Sequence, residues 1–144
     1  MLRIILVDDN PADAVIFQTA LRRTGAPVEI MLMTDGREAV DYLTQKNGDR
    51  VRAKHDLLLL DLNLPGLSGF EVLESIRACA DIRSLPVVVM SGSNNPADID
   101  RSYMLGANSY VLKATNLHDI LETGSELVTY WSRCAQLPHP VGNG

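Results

Sequence analysis

Asp8-Asp9-Asn10 closes the apolar run Arg3–Val7, Asp61 closes Asp56–Leu60, Ser91 closes Pro86–Met90, and Lys113 closes Ser109–Leu112. Carboxylates gathered in one crevice repel each other and raise one another's pKa unless something offsets the charge. A hard divalent cation does this well. Mg²⁺ typically takes one or two carboxylates plus waters and a phosphate. Lys113 adds a compact cation able to hold a phosphoryl oxygen, and the Ser91 hydroxyl is a further donor. A carboxylate is also a known nucleophile toward phosphorus. Brought together, these groups suit phosphoryl transfer, which asks mainly for positioning and charge neutralisation.

Each residue also has an ordinary role open to it. Asp8 and Asp9 precede a helical pattern and could cap it. Asp61, before Leu62-Asn63-Leu64-Pro65-Gly66, could be a turn aspartate. Ser91-Gly92-Ser93 reads as a turn, and Lys113 as a solvated lysine. What favours chemistry is the recurrence at the ends of four apolar runs. The chain has neither G-x-x-x-x-G-K-[ST] nor G-x-G-x-x-G, so nothing in it points to nucleotide binding.

The elements that must position these residues are legible in the apolar pattern. Five runs read as strands: Arg3–Val7, Val28–Met33, Asp56–Leu60, Pro86–Met90 and Ser109–Leu112. Their near-continuous Ile, Leu, Val and Met are the mark of parallel strands covered on both faces. Helical spacing occupies Pro11–Thr24, Gly36–Gln45, Ser68–Ala80, Pro96–Leu105 and Asn116–Arg133. Pro11 and Pro96 suit first turns, and Gly25 and Gly106 suit stops. Five βα units predict a doubly wound α/β fold with a five-stranded parallel sheet and five helices. In such a sheet ligands bind at the carboxyl rim, where strand order reverses. If the first and third strands flank that reversal, Asp8, Asp9 and Asp61 converge. Lys46–His55, polar and basic, reads as a surface loop, and Leu137–Gly144, rich in Pro and Gly, as a disordered tail.

Composition sets the frame. The 144 residues are 46% apolar and 22% charged, an ordinary globular balance for one domain. A net charge of −5 speaks against a nucleic-acid-binding surface. No apolar run reaches the roughly 20 residues of a membrane span, and the N-terminal run is too short for a signal peptide. Cys79 and Cys134 have no metal or redox spacing, which points to a reducing, cytoplasmic setting.

The motifs Ile5-Leu6-Val7-Asp8-Asp9-Asn10, Leu59-Leu60-Asp61-Leu62-Asn63-Leu64-Pro65-Gly66 with Gly69, Pro86-Val87-Val88-Val89-Met90-Ser91-Gly92, and Gly106-Ala107 running to Lys113 resemble the receiver domain of bacterial two-component response regulators. The resemblance spans about residues 3–130. It implies a flavodoxin-like sheet of strand order 2-1-3-4-5. Asp61 would accept a phosphoryl group from a sensor histidine kinase. Asp8, Asp9, Asp61 and the Asn63 backbone carbonyl would hold Mg²⁺, Lys113 would pair with the phosphoryl group, and Ser91 would close onto it. Tyr110 matches the family's aromatic switch; without the resemblance it reads as a strand aromatic packing at the rim. One departure stands out, because Ala114 follows Lys113 where the family usually has proline, often after a cis bond. A cis bond here would cost about 3–4 kcal/mol, so a trans link is expected.

The resemblance assigns residues 1–133 to a receiver domain and 134–144 to a flexible tail. With no room for an output domain after Trp131, it implies a stand-alone regulator. The Asp61–Gly66 motif, the polar insertion and the long last helix resemble the regulators paired with bacterial phytochromes. That implies a bacteriophytochrome kinase as partner and a homodimer. Leu127, Val128 and Trp131 could form the dimer seam or pack on the sheet. The resulting reading is a signalling phosphoacceptor rather than an enzyme acting on other substrates. One rival is a Mg-dependent aspartyl-phosphate phosphatase or phosphotransferase. It would need a general acid, and His55, His118 and His139 do not stand at strand ends. The other is a pseudo-receiver binding module.

Overall fold

The computed structural model describes residues 1–45 and 48–138. The chain runs β1 (Leu2–Val7), α1 (Pro11–Arg22), β2 (Val28–Met33), α2 (Gly36–Leu43), α3 (Gly48–Lys54), β3 (Leu57–Asp61), α4 (Gly69–Ala78), β4 (Val87–Ser91), α5 (Pro96–Met104), β5 (Ser109–Leu112) and α6 (Leu117–Thr129), followed by a π turn at Tyr130–Cys134. All strands pair in parallel, in the order β2-β1-β3-β4-β5. This is the doubly wound sheet expected from the five apolar runs, each of which lies within one residue of its strand.

Alternation along the central strands divides the core in two. Ile5, Val7, Leu58, Leu60, Val87 and Val89 join Ala39 and Leu43 of α2 and Val72, Leu73 and Ile76 of α4 on one face. Ile4, Leu6, Leu57, Leu59, Val88 and Met90 join Phe17, Ala20 and Leu21 of α1 and Val128 of α6 on the other. Burial on both faces holds for β3 and β4, which are buried throughout. It does not extend to the edges: β2 and β5 are only partly covered, and Leu32 and Leu112 are exposed. α1 and α6 approach closely. A Cβ on Gly124 would lie 2.8 Å from the Ala20 carbonyl carbon, so only glycine fits that crossing.

Two features depart from the sequence reading, and a third bears on alternatives it left open. The described residues contain six helices rather than five, because α3 forms within Lys46–His55, where a surface loop is expected. Charge conceals the burial there: Val51 and Arg52 are both inside the protein. Lys46 and Asn47 lie outside the described residues. The expected tail, 134–144, begins as packed chain. The π turn runs through Cys134, Leu137 rests against the α1–α6 core, and the Pro138 carbonyl accepts a hydrogen bond from Arg52. The tail from His139 onward lies outside the described residues. Finally, Val128 of the candidate dimer seam is fully buried, while Leu127 and Trp131 are half-buried against the same cluster.

The amino-terminal edge of the sheet is stitched by arginines that the apolar pattern does not single out. Arg3 pairs with Asp56 at 2.9 Å and also donates to the Ala53 carbonyl, joining β1 to the start of β3. Arg77 donates to the carbonyls of Arg83, Leu85 and Gly106 and to Asn108 Oδ1, bridging the starts of β4 and β5. The opposite, carboxyl edge carries the acidic groups.

Candidate functional site

Strand order reverses between β1 and β3, and the crevice outside their carboxyl ends is where such sheets bind ligands. Val7 pairs with Leu60, so Asp8 and Asp61 emerge side by side although 53 residues apart in sequence. One oxygen from each of Asp8, Asp9 and Asp61 lies within 4.8 Å of the others. Asp8 and Asp61 are buried and Asp9 is exposed. An oxygen-only set with one open side suits a hard divalent cation that keeps some of its waters.

Local hydrogen bonds aim these carboxylates. Asn10, not Asp8 or Asp9, caps α1: its Oδ1 accepts from Ala12 N–H at 3.0 Å and Asp13 N–H at 3.2 Å. The paired aspartates are therefore not spent on the helix end. Asp8 Oδ1 accepts from Asn10 N–H at 3.0 Å. Its Oδ2 faces Lys113 Nζ at 3.7 Å. Asp61 Oδ1 accepts from Asn63 N–H at 3.0 Å, and its Oδ2 accepts from Lys113 Nζ at 2.9 Å. Asp61 is thus both a turn aspartate and a site carboxylate. The turn bond orients the group that the lysine meets.

The loop after Asp61 owes its shape to two glycines. Gly66 sits at φ +72°, a left-handed conformation that costs other residues. Gly69 opens α4 against the backbone of Asp61 itself. A Cβ there would collide with the Asp61 carbonyl oxygen and lie 2.6 Å from Leu62 Cα. The Gly69 N–H donates to the Leu62 carbonyl at 3.0 Å.

Lys113 reaches the crevice from β5. Its backbone N–H donates to the Ser91 carbonyl at 2.7 Å, registering β5 on β4. Among the described residues no peptide bond is cis, so Lys113–Ala114 is trans as expected. The Lys113 stem, Ala114, Phe17, Met90 and Ile120 line a mostly apolar cleft of about 80 Å³ beneath the carboxylates. Burial disfavours the Lys113 charge, but the hydrogen bond and charge of Asp61, then the charges of Asp8 and Asp13, outweigh it and raise the pKa. Burial raises the Asp8 pKa. The Asn10 N–H and the Lys113 charge oppose that shift only in part, and the Asp61 charge adds to it. Burial is thus the main reason the Asp8 carboxyl is held above its ordinary value, and the Asp61 charge beside it adds to the effect.

Ser91 is buried at the end of β4, and its Oγ accepts from Ser93 N–H at 3.1 Å. Tyr110 is half-buried against the α2–α4 core, and its hydroxyl donates to the Ser93 carbonyl at 2.7 Å. Both faces of one peptide residue, Ser93, therefore connect Ser91 to Tyr110. Ser93 Oγ in turn donates to Asp98 Oδ2 at 2.6 Å, anchoring the loop to α5. The sequence places Ser93 beside the site without revealing this bridge. Nor does it single out Asp13, whose charge acts on Lys113 and Asp8 from the same cleft. The position of Asp13 four residues after Asp9, in the first turn of α1, is the available signal. His55 is buried beside Tyr42 at the far end of β3 and takes no part here.

A profile of the response regulator receiver domain matches residues 4–124. Response regulator Rcp1 of Synechocystis sp. is 35% identical over 135 residues, covering 94% of this chain and 92% of that protein. The probable methanogenesis regulatory protein FilR2 of Methanothrix harundinacea is 36% identical over 138 residues, covering 96% and 88%. Among solved structures, the phosphorylated cyanobacterial phytochrome response regulator RcpA superposes with a TM-score of 0.87 at 39% identity, covering 96% of this chain and 99% of its own. The Mn²⁺-bound form of Rcp1 superposes at 0.85.

Proposed function

The chain belongs to the response regulator receiver domain family, and on that premise we propose that it is a phosphorylation switch with Asp61 as phosphoacceptor. The observation that carries this reading is the Lys113–Asp61 pair at 2.9 Å inside a cluster of three carboxylates. An Asp61 carboxylate oxygen attacks the phosphorus of a kinase phosphohistidine. A P–O bond forms, the P–N bond breaks, and the imidazole keeps the electron pair. Lys113 turns from the Asp61 oxygen toward a phosphoryl oxygen, and the Ser91 hydroxyl donates to another. Asp8, Asp9, Asp61 and the Asn63 carbonyl are the residues that would hold Mg²⁺. When bound, it would neutralise charge developing on the phosphoryl oxygens. Support for a divalent ion comes from the oxygen-only donor set and from Rcp1, whose structure was determined with Mn²⁺.

Output runs through Ser93. Ser91 turning toward the phosphoryl group withdraws its Oγ from the Ser93 N–H, and the same residue's carbonyl holds Tyr110. The α5–β5 surface then follows the loop, in a population shift between two states. RcpA, a cyanobacterial phytochrome response regulator, supports a phytochrome-type histidine kinase as donor, whereas FilR2, at 36% identity, is a probable methanogenesis regulatory protein. The reading includes a homodimer through the α6–β5 side, where Leu127 and Trp131 line a groove with Val111. It places the protein in the cytoplasm, with no nucleic-acid partner and no enzymatic action on other substrates. No described helix is long and apolar enough to cross a membrane.

Acetyl phosphate with Mg²⁺, followed by intact-mass measurement of wild type and Asp61→Asn, tests the switch. A stoichiometric, Mg²⁺-dependent, acid-stable and base-labile adduct absent from the variant is expected. No wild-type adduct would favour the binding-module reading, and rapid multiple turnover would favour an enzyme. Sedimentation before and after phosphorylation tests the dimer, which a strict monomer at every concentration would remove.

A further inference from the structure

Away from the carboxylates, buried polar chemistry concentrates at the opposite end of the sheet, around Arg52. This residue is 1% exposed. Its Nε donates to Ser84 Oγ at 3.2 Å, its Nη1 to the His55 carbonyl at 2.8 Å, and its Nη2 to the Pro138 carbonyl at 3.0 Å. None of the acceptors is a carboxylate. Burial pulls the Arg52 pKa down, and the Asp56 charge restores only part of it. A buried guanidinium needs its acceptors, because a donor left unpaired there costs its full desolvation.

The three acceptors differ in how firmly they are held. His55 and Ser84 stand just before the amino ends of β3 and β4, which the core fixes. Pro138 does not share that support, because it ends a described stretch without regular structure, 135–138. Among the described residues, Leu137 packs this stretch on the α1–α6 core and the Pro138 carbonyl ties it to Arg52. At its start the Ala135 N–H donates to the Tyr130 carbonyl at 2.8 Å, closing the π turn. Tyr130 and Trp131 of that turn line the groove beside β5 with Val111 and Leu127.

We infer that residues 135–138 form a strap that Arg52 clasps across the amino-terminal edge of the sheet, and that opening it loosens the π turn and reshapes the α6–β5 groove. The device is independent of Asp61. It lies at the other end of the strands and joins helix α3, built from the polar insertion, to the end of α6. Its open state is drawn from the part of the molecule with few buried contacts, as local opening generally is.

Amide hydrogen exchange on wild type, Arg52→Met and Leu137→Ser tests this, with trypsin cleavage after Arg133 as a second readout. In wild type the Ala135 amide should be protected. In Arg52→Met the Ala135 amide should exchange about tenfold faster, with faster cleavage, while β1 and β3 keep wild-type protection. Leu137→Ser should open the same segment without touching the guanidinium. Wild-type exchange in a folded Arg52→Met overturns the clasp whatever Leu137→Ser does, as does an unprotected Ala135 amide in wild type. If Arg52→Met does not fold, Leu137→Ser decides alone: unchanged exchange there overturns the strap.

Discussion

Replacing Gly69 with alanine tests how tightly the proposed phosphoacceptor, Asp61, is built. The added Cβ would stand 2.6 Å from Leu62 Cα, against 3.4 Å where ordinary contact begins, and would collide with the Asp61 carbonyl oxygen. Both neighbours are backbone, so neither can swing aside. A shift of at least 0.8 Å must pass into the Asp61–Leu62 peptide or into the start of α4. Overpacking of this kind costs about 1–3 kcal/mol, and the helix gains back at most about 1 kcal/mol from alanine. The net loss expected in urea unfolding is therefore about 1–2 kcal/mol. Reactive groups misplaced by close to an ångström lose about 10²-fold in rate, so the initial rate of acetyl-phosphate labelling should fall on that scale. Gly66→Ala is the comparison. Its Cβ meets nothing within 4 Å, but its φ of +72° strains alanine, a penalty of about 1–2 kcal/mol. It should lose similar stability yet label within about threefold of wild type, because strain confined to a turn does not displace reacting atoms. Equal rates for the two variants, or a Gly69→Ala rate near wild type, would refute the reasoning.

Asp9 is exposed and shapes no helix end, so Asp9→Ala should leave stability within about 0.5 kcal/mol while weakening Mn²⁺ binding at least about tenfold, as read by electron paramagnetic resonance. Tyr110→Phe removes the bond to the Ser93 carbonyl and should cost about 1 kcal/mol; labelling of Asp61 should continue, and loss of labelling would contradict an output role. Burial opposes ionisation of Asp56, but hydrogen bonds and charge from Arg3 prevail and hold its pKa below the ordinary carboxylate value. A group depressed in the folded state stabilises above its unfolded pKa and loses that contribution as pH falls through the folded value. Asp56→Asn should therefore cost about 1–2 kcal/mol at pH 7, given a partner that is 33% exposed, and the difference should shrink as pH falls through the depressed folded-state value; a difference independent of pH would be contrary.

Much of the site is legible in the order of residues alone, because its members end apolar runs and strand ends share a rim. The residues that carry little signal are those whose role depends on a distant partner. Asp8 and Asp9 read equally well as helix caps, and only the Asn10 bonds to Ala12 and Asp13 N–H show that the cap is taken by their neighbour. Tyr110 reads from the residues alone as a rim aromatic, and it packs half-buried against the α2–α4 core. Its link to Ser91 passes through a residue 17 positions earlier, which no local pattern records. Arg52 reads as surface, because charge is ordinarily solvated, yet it lies inside the protein.

The sequence by itself determined the alternation of strands and helices, the parallel sheet and the acidic rim, since apolar period and strand-end chemistry are local properties. Tertiary structure alone decided which carboxylate oxygen meets Lys113, that Val128 faces the core, and that Arg52 joins three segments up to 86 residues away. The physical reason is that a buried charge is tolerable only where acceptors from distant segments converge on it, and that convergence exists only once the strands are ordered.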